Sequence, residues 1–422
     1  MGIGICIKSE LPKVGIFKRK ISIDKLFNQI AEEFKELIPE QTWRKLVSST
    51  YKDDRMFLQL YPIGEPIEFT IAKNVITCSA KTNIPGPGYH AFVVDSLDLI
   101  GNSLSLKWNW VGDVGFGDET SYYETKNFET LKLEMLHWLK EVAKVLIENV
   151  SDGNKMIAMP LGYSVLGDYF ALNSLGYWDK KWFIEVNESD INKLEHKGEQ
   201  FFPWWVQKLE TVFYLNTGLA VSWVELPWHS IHTEHEYLLY KFVQFCFERA
   251  GNSELRELVP LNEKELIDSY LNEKVPSLPP QPTGIGFKKR SMQRSMTGFW
   301  TSDIPGYFYE DYENDGKTYV YWFQDKIIRG SSFKVEGNNG IPISAENLLM
   351  ETPKNLEVFR FSNNQLLGWA TIEIINEDGK EFCFLTGNIA TTNNLCHVTI
   401  SFDNEIDKEW AIKVWESTKF HK

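Results

Sequence analysis

The sequence predicts an α+β protein in which a large mixed N-terminal unit is joined to a smaller, β-rich unit. Before residue 275, apolar residues recur every three or four positions in several segments, which is typical of amphipathic helices. After residue 295 they mostly alternate with polar residues, which is typical of strands with one buried face. Residues 276–294 separate the segments that show these two hydrophobic patterns. They are rich in proline and glycine and end in a basic cluster, so we expect a linker there.

These observations divide the chain into four segments. We expect an α+β subdomain at 1–152, a mostly helical continuation or second subdomain at 153–275, the linker at 276–294 and a β-rich domain at 295–422. A chain of 422 residues is long enough for two or three domains with real cores. Relative motion of the two units is the default expectation across such a linker.

Local patterns predict the N-terminal elements. Residues 2–8 alternate like a strand, and Ser22 marks the start of a helix that runs to about Leu37. The other elements expected before the linker are strands at 56–63, 66–73, 75–82, 103–110, 156–160 and 180–187, and helices at 89–100, 128–149, 204–224, 234–250 and 263–273.

The C-terminal elements are predicted to form an antiparallel sheet covered by one helix. Asp315-Gly316 and Asp378-Gly379 each lie between apolar runs, which is a strong local signal for a β-hairpin. The expected strands are 317–324, 357–362, 366–375, 381–389 and 396–402, and the expected helix is 407–418.

The composition narrows the class of partner. A net charge of −14 repels phosphate backbones and anionic lipid, so a nucleic-acid or membrane partner is disfavoured and a basic protein partner is favoured. The five cysteines are widely spaced and form no CxxC motif, which argues against a disulfide framework or a zinc ribbon. Because the N-terminus lacks a signal-peptide pattern, we expect a cytoplasmic protein. We expect no cofactor and no bound metal.

One segment suggests a pocket. Thr82-Asn-Ile-Pro-Gly-Pro-Gly-Tyr-His90 lies between a predicted strand and a predicted helix. A glycine loop at a helix N-terminus presents unpaired N–H groups, so Gly86, Gly88 and Tyr89 are candidate ligand-binding residues. The segment matches neither the P-loop nor the GxGxxG pattern, and the alternative is a purely structural turn.

The same segment offers a candidate catalytic set. His90 would act as acid or base, Cys78 on the preceding strand as nucleophile, and Asp113 or Asp118 would come from the glycine-rich loop. This set would serve hydrolysis or group transfer. The acidic groups of loop 112–120 could instead hold calcium, although the EF-hand order is absent.

Residues 229–236 contain three histidines and two glutamates. Metal binding is one interpretation, but the spacing is neither HExxH nor HxxEH. The other interpretation is local, because Thr233 and Glu236 have the spacing of a capping box at the start of the helix that follows.

Two further features concern contacts. The basic residues Lys288, Lys289, Arg290 and Arg294 are expected to lie in a solvated, protease-sensitive tether, or alternatively to dock on an acidic patch of the same chain. Aromatic residues make up 14% of the chain, and Trp204-Trp205 follows a polar stretch, so this pair is a candidate exposed interface, with core packing as the alternative.

From these residues we expect a non-enzymatic, bacterial, cytoplasmic protein that acts by protein–protein contact, in an immunity or antiviral defence setting. A hydrolase or transferase with its site at residues 83–90 is the first alternative. A small-ligand sensor, with its ligand in the large unit and its output through the β-rich domain, is the second.

Overall fold

The α+β class predicted from the sequence is confirmed by a computed structural model of the chain. It describes residues 2–14, 19–20, 22–111, 116–149, 163–167, 169–274, 279–313, 316–337, 340–349, 352–363 and 365–421. In this part of the chain no helix is both long and apolar enough to cross a membrane.

The described strands, in chain order, are β1 (Gly4–Glu10), β2 (Lys13–Val14), β3 (Arg19–Lys20), β4 (Ser48–Lys52), β5 (Arg55–Gln59), β6 (Ile67–Ala72), β7 (Val75–Lys81), β8 (Gly117–Asp118), β9 (Ser164–Val165), β10 (Ala171–Asn173), β11 (Gly176–Trp178), β12 (Ser291–Ser295), β13 (Trp300–Pro305), β14 (Tyr309–Tyr312), β15 (Tyr319–Phe323), β16 (Lys326–Lys334), β17 (Val358–Ser362), β18 (Leu367–Glu377), β19 (Lys380–Thr391), β20 (Asn394–Phe402) and β21 (Lys419–Phe420).

The described helices are α1 (Ile23–Leu37), α2 (Gln41–Arg44), α3 (Pro87–Leu104), α4 (Tyr122–Thr125), α5 (Phe128–Asn149), α6 (Lys180–Glu188), α7 (Glu195–Phe201), α8 (Thr211–Val224), α9 (Glu234–Gly251), α10 (Leu261–Leu271), α11 (Ala345–Leu348) and α12 (Lys408–Glu416).

The first hydrophobic core is built on a six-stranded antiparallel sheet with the order β4-β5-β6-β7-β1-β8. Strand alternation decides which side chains enter it, and Ile5 and Ile7 of β1 are buried while Lys8 is exposed. The apolar stripe of α1 contributes residues such as Ile30 and Phe34. This core extends along the chain to Phe287.

A second core begins at Met296. Its sheet has seven antiparallel strands in the order β14-β15-β16-β20-β19-β18-β17. The helix α12 packs on it, and the fully buried ring of Trp415 lies against Gly368 and Gly387. A Cβ at Gly387 would collide with the indole. The predicted antiparallel sheet with one C-terminal helix is therefore present.

A four-stranded sheet connects the two parts of the chain, in the order β21-β13-β12-β9. Its strand β9 comes from the predicted segment 153–275, and β12 comes from the end of the predicted linker. The predicted domain boundaries themselves stay a prediction.

For the described end of the linker, the expectation of a solvated tether is wrong. Phe287 is fully buried in the first core, and the Lys289 ammonium lies 3.0 Å from the Glu263 carboxylate, both groups being nearly buried. The same ammonium lies 4.1 Å from the centre of the Trp228 ring. The alternative prediction is that the basic cluster docks on an acidic patch of the same chain. The contact between Lys289 and Glu263 agrees with that alternative. A buried cation is retained here because both a carboxylate and an aromatic face compensate its charge.

Two expected strands are also wrong. Residues 180–187 form α6, because the Asp179 side chain accepts a hydrogen bond from the Trp182 N–H and caps a helix that buries Phe183 and Val186. Residues 103–110 contain the end of α3 followed by an extended segment whose only described ladder contact is the bridge between Asn109 and Lys8. The expected strand at 156–160 lies outside the described residues.

Candidate functional site

The glycine loop at residues 83–88 leads into α3, as the sequence predicts. Gly86 precedes the helix with φ of 111°, a value that favours glycine, and Pro87 occupies the first turn. The loop is not open to solvent. The Gly88 N–H donates to the Trp204 carbonyl at 2.9 Å, and the Trp204 N–H donates to the Pro85 carbonyl at 2.8 Å. This backbone pairing uses the Gly88 donor that an anion would need.

The packing around the loop explains its glycines. A Cβ at Gly88 would collide with the Trp204 indole, and one at Gly86 would collide with Phe202. Tyr89 is fully buried, and its ring centre lies 5.7 Å from those of Tyr61 and Trp204. The three candidate ligand-binding residues therefore lie in a closed, aromatic part of the first core.

His90 and Asp118 are brought together, as the catalytic hypothesis requires. The two lie 2.9 Å apart through His90 Nε2 and Asp118 Oδ1. On the other side of the ring, Thr82 Oγ1 lies 2.7 Å from Nδ1, which allows the hydroxyl to donate while Nε2–H donates to the carboxylate. The Thr120 hydroxyl lies 3.0 Å from Nε2. The imidazole thus joins the segment that contains Thr82 and His90 to residues 118–120, which lie 28 to 30 positions further along the chain.

The Asp118 carboxylate has several donors. Its Oδ1 accepts from the Thr120 N–H at 2.9 Å and hydroxyl at 2.7 Å, and its Oδ2 accepts from the Tyr123 N–H at 2.7 Å. Burial alone would raise the pKa of Asp118. The hydrogen bond and charge of His90 act in the opposite direction, together with the Tyr123 and Thr120 donors, and hold this pKa at about 2. The group is therefore an anion at neutral pH.

The arrangement resembles a base held by a carboxylate, but it has no access. His90 is 0% exposed, and the Asp118 side chain is almost completely buried. Catalysis requires a substrate atom within hydrogen-bond reach of the base, and every ring nitrogen of His90 is already occupied by a protein group. In this conformation the cluster acts as a clip that joins β7, α3 and the segment before α4.

Cys78, the proposed nucleophile, makes no described hydrogen bond to His90. Cys78 lies on β7 opposite Ile7 of β1 and Phe69 of β6. Burial raises the pKa of its thiol well above its usual range, so the thiol is protonated and unreactive at neutral pH. Asp113 lies outside the described residues. Thr82 and Thr120 were not assigned a role from the sequence, although Thr120 follows Asp118 at the spacing of a local side-chain turn.

The expectation that Trp204 and Trp205 form an exposed interface is wrong. Both indoles are almost completely buried. Trp204 lies within 6 Å of the ring centres of Trp43, Tyr61 and Phe213, and Trp205 stacks on Phe202. Their hydrophobic area is used in the core, which was the alternative.

The histidine-rich segment lies where the two cores meet. The His229 ring is 4.0 Å from that of Tyr309 on β14, and the Tyr309 hydroxyl donates to the Ser230 carbonyl at 2.9 Å. His232 lies 5.3 Å from the same tyrosine ring. Burial lowers the pKa of His229, although the Ser230 carbonyl and the Glu236 carboxylate act to raise it. This histidine is therefore mainly a neutral packing group at neutral pH.

The predicted capping box at the start of α9 is confirmed. The Glu236 N–H donates to the Thr233 hydroxyl, and Glu236 Oε2 accepts from the N–H groups of Thr233 and His232. The Glu236 carboxylate is thus occupied by backbone N–H donors. Among the described residues, no group of three or more His, Cys, Asp or Glu side chains is arranged to hold a metal ion.

A different surface was not identified from the sequence. Ile374 of β18 lies opposite Cys383 of β19, which lies opposite Phe402 of β20, so all three point to the face on which α12 packs. The helix does not reach this end, and Ile374 is 71% exposed. Ile406, in the turn before α12, is 81% exposed.

Six carboxylates lie close to these two isoleucines along the chain or across the β18–β19 hairpin, although Glu373 and Glu377 alternate with Ile374 and point to the other face of the sheet. Electrostatic interactions of Asp403 and Glu405 with Cys383 place the turn beside the end of the β18–β19 hairpin, and Lys380 contacts Asp403 at 2.6 Å. We call this surface the acidic tip. It comprises Glu373, Ile374, Glu377, Asp378, Glu381, Asp403, Glu405 and Ile406.

Comparison with known proteins assigns no family. No protein-family model and no curated protein matches the chain. One partly similar solved structure is a protein from Bacteroides thetaiotaomicron VPI-5482, determined at 1.50 Å resolution, whose description states no activity. The two are 12% identical, and the similarity covers 29% of this chain and 46% of that one, with a TM-score of 0.23. The chain thus spans less than half of that protein's length, and this likeness carries no argument.

Proposed function

We propose that this chain is a non-catalytic, protein-binding protein whose acidic tip docks a basic polypeptide. The exposure of Ile374 and Ile406 among carboxylates carries the proposal. An exposed isoleucine contributes little to folding, whereas burying it against a partner is worth about 1.5–3 kcal/mol before the entropic cost of association. Two such side chains on one surface therefore suit an interface.

Charge selects the chemistry of the partner. The C-terminal segment 295–422 contains 19 acidic and 11 basic residues, and the acidic tip contains six carboxylates for two apolar anchors. Such an excess of carboxylates, even with Asp403 paired to Lys380, steers cationic groups and disfavours acidic ones. The partner would present lysine or arginine around an apolar centre.

The enclosure of the His90 cluster supports a binding role over the hydrolase or transferase alternative. A closed imidazole and a buried, protonated Cys78 thiol suit stability better than chemistry on a substrate. A bacterial, cytoplasmic setting in immunity or antiviral defence belongs to the same proposal, with the net charge as its support. Deleting the gene in its host and challenging the cells with phage tests this setting, and unchanged infection would contradict it.

The binding proposal is tested by capture from the native host at moderate salt, identification of the bound protein, and calorimetry with that protein purified. The expected result is a basic partner whose affinity falls at least tenfold, or about 1.4 kcal/mol, for the double variant Ile374→Ser/Ile406→Ser. Affinity should also fall with added salt.

The matched control is Ile341→Ser. Ile341 is 67% exposed and lies near the opposite end of β19, so its substitution should leave affinity unchanged. Failure to capture a basic partner, or equal binding by the double variant, would overturn the proposal.

A further inference from the structure

A cleft of about 480 Å³ lies between the outer face of β4–β5 and the junction of α8 and α9. Ser48 pairs with Gln59 and Thr50 pairs with Phe57 across these strands, so these four side chains share one sheet face. The alternate residues, including Met56 and Leu58, are buried in the core on the other face. The cleft therefore arises from strand alternation at the edge of the first sheet.

The polar groups along β4 and β5 can accept hydrogen bonds from a ligand. The Gln59 amide nitrogen donates to the carbonyls of Tyr61 at 2.7 Å and Gly64 at 2.8 Å. Both of its donors are therefore used, which leaves the amide oxygen as the group it can offer to a ligand. The hydroxyls of Ser48 and Thr50 can also accept.

Glu225 supplies the negative charge of the cleft. It lines the cleft at the C-terminal end of α8, half-buried, and no side chain in the described ranges donates to its carboxylate. A carboxylate at a helix C-terminus is unfavourable, because that end of the helix carries partial negative charge. The buried Lys288 ammonium interacts with the Glu225 carboxylate through its charge, while its hydrogen bond goes to the Glu225 backbone carbonyl at 2.8 Å. A cationic ligand in the cleft would add a direct hydrogen-bond partner for the carboxylate to this neighbouring charge.

The apolar wall limits the size and shape of that ligand. The Phe57 ring and two prolines, Pro62 and Pro66, line the cleft. An aromatic face adds attraction for a cation and packs against an alkyl or aryl body. The volume lies within the range of small-molecule sites. His235 at the rim is exposed and would repel a cation only when protonated.

We propose that this cleft binds an organic ammonium group carried on a short apolar body, with Glu225 as the counter-ion. The ammonium has three donors for the carboxylate, the Gln59 oxygen and a hydroxyl of β4. The same group could come from a free amine or from a lysine side chain of a polypeptide. The site is separate from the acidic tip and does not depend on the proposed function.

The test is calorimetry or saturation-transfer NMR with phenethylammonium, using 2-phenylethanol as the matched neutral probe. The wild-type chain should bind the ammonium and not the alcohol. Removing a charge-assisted hydrogen bond should weaken binding by about tenfold to a hundredfold in Glu225→Gln. The control is Glu210→Gln, at the other end of α8, which should bind as the wild type does. Thermal melting of each variant checks that the fold is retained.

A second experiment distinguishes a free amine from a lysine side chain as the source of the ammonium group. The peptide Ac-Ala-Ala-Lys-Ala-Ala-NH2 is compared with the same peptide acetylated on lysine. Binding of the unmodified peptide that is lost on acetylation assigns a polypeptide ligand, and binding of phenethylammonium alone assigns a free amine. Either result supports the site. Binding of neither ammonium probe, equal binding of the alcohol, or undiminished binding by Glu225→Gln would overturn the proposal.

Discussion

Two histidines occupy contrasting places in this chain. His90 lies inside one core with both ring nitrogens occupied by protein groups, one of them facing a carboxylate. His229 lies between two cores, with its ring tilted against that of Tyr309, and its Nε2 is 3.7 Å from Glu236, too far for a hydrogen bond. The comparison teaches that neighbours determine the role of an imidazole. The first joins segments of one core by charge-assisted bonds, and the second mainly fills space between two cores.

The largest expected effect is that of His90→Ala. The substitution leaves the Asp118 carboxylate buried without the imidazole that donates to it, which should cost about 3–5 kcal/mol in the free energy of unfolding. Urea unfolding followed by circular dichroism measures this change. His196→Ala, at an exposed histidine, is the control and should lie within about 0.5 kcal/mol of the wild type. A loss below 1 kcal/mol would show that the clip is not structural and would reopen the catalytic alternative.

The pH dependence of stability sharpens the same comparison. The pKa of Asp118 is about 2 in the folded chain, against about 3.9 in an unfolded one. Because the folded pKa is the lower one, the stabilisation is present above pH 4 and is lost as the pH falls toward 2. It amounts to about 2–3 kcal/mol. Urea midpoints measured between pH 6 and 2.5 should fall more steeply for the wild type than for Asp118→Asn. Equal pH dependence of the urea midpoint in the two proteins would contradict the assignment of this stabilisation to Asp118.

The smallest effect is expected at the junction. Tyr309→Phe keeps the ring against His229 but removes the hydrogen bond to the Ser230 carbonyl, which should cost about 1 kcal/mol. Hydrogen exchange should show faster exchange around residues 229–233 and on β14, with the His90 region unchanged. Tyr237→Phe, at an exposed tyrosine of α9, is the control. Equal acceleration around His90 would mean that the two histidine sites are not independent.

Much of the fold could be predicted because its signals are local. The apolar stripe of α1, the capping box of α9 and the hairpin at Asp378-Gly379 each depend on residues within a few positions of one another. The errors arose where distant residues decide. The strand expected at 180–187 is instead α6, which packs on α5, an element that ends more than 30 residues earlier in the chain.

The same limit applies to the sites. The sequence placed His90 and Asp118 in one hypothesis, but it could not show that Trp204 closes the loop beside them, since these segments are more than 80 residues apart. The acidic tip was missed because Ile374 has the alternation of a core residue. Its exposure depends on how far α12 extends over the sheet.

The shared four-stranded sheet has a consequence for dissection of the chain. A fragment beginning at residue 295 would lack most of β12, and β13 would lose the neighbour that pairs with it from Ser291 to Ser295. The exposed edge would then present unsatisfied N–H and carbonyl groups to other molecules, and such edges promote self-association. The fragment would therefore aggregate even with its own hydrophobic core intact, whereas a fragment that retained β12 would keep that edge paired.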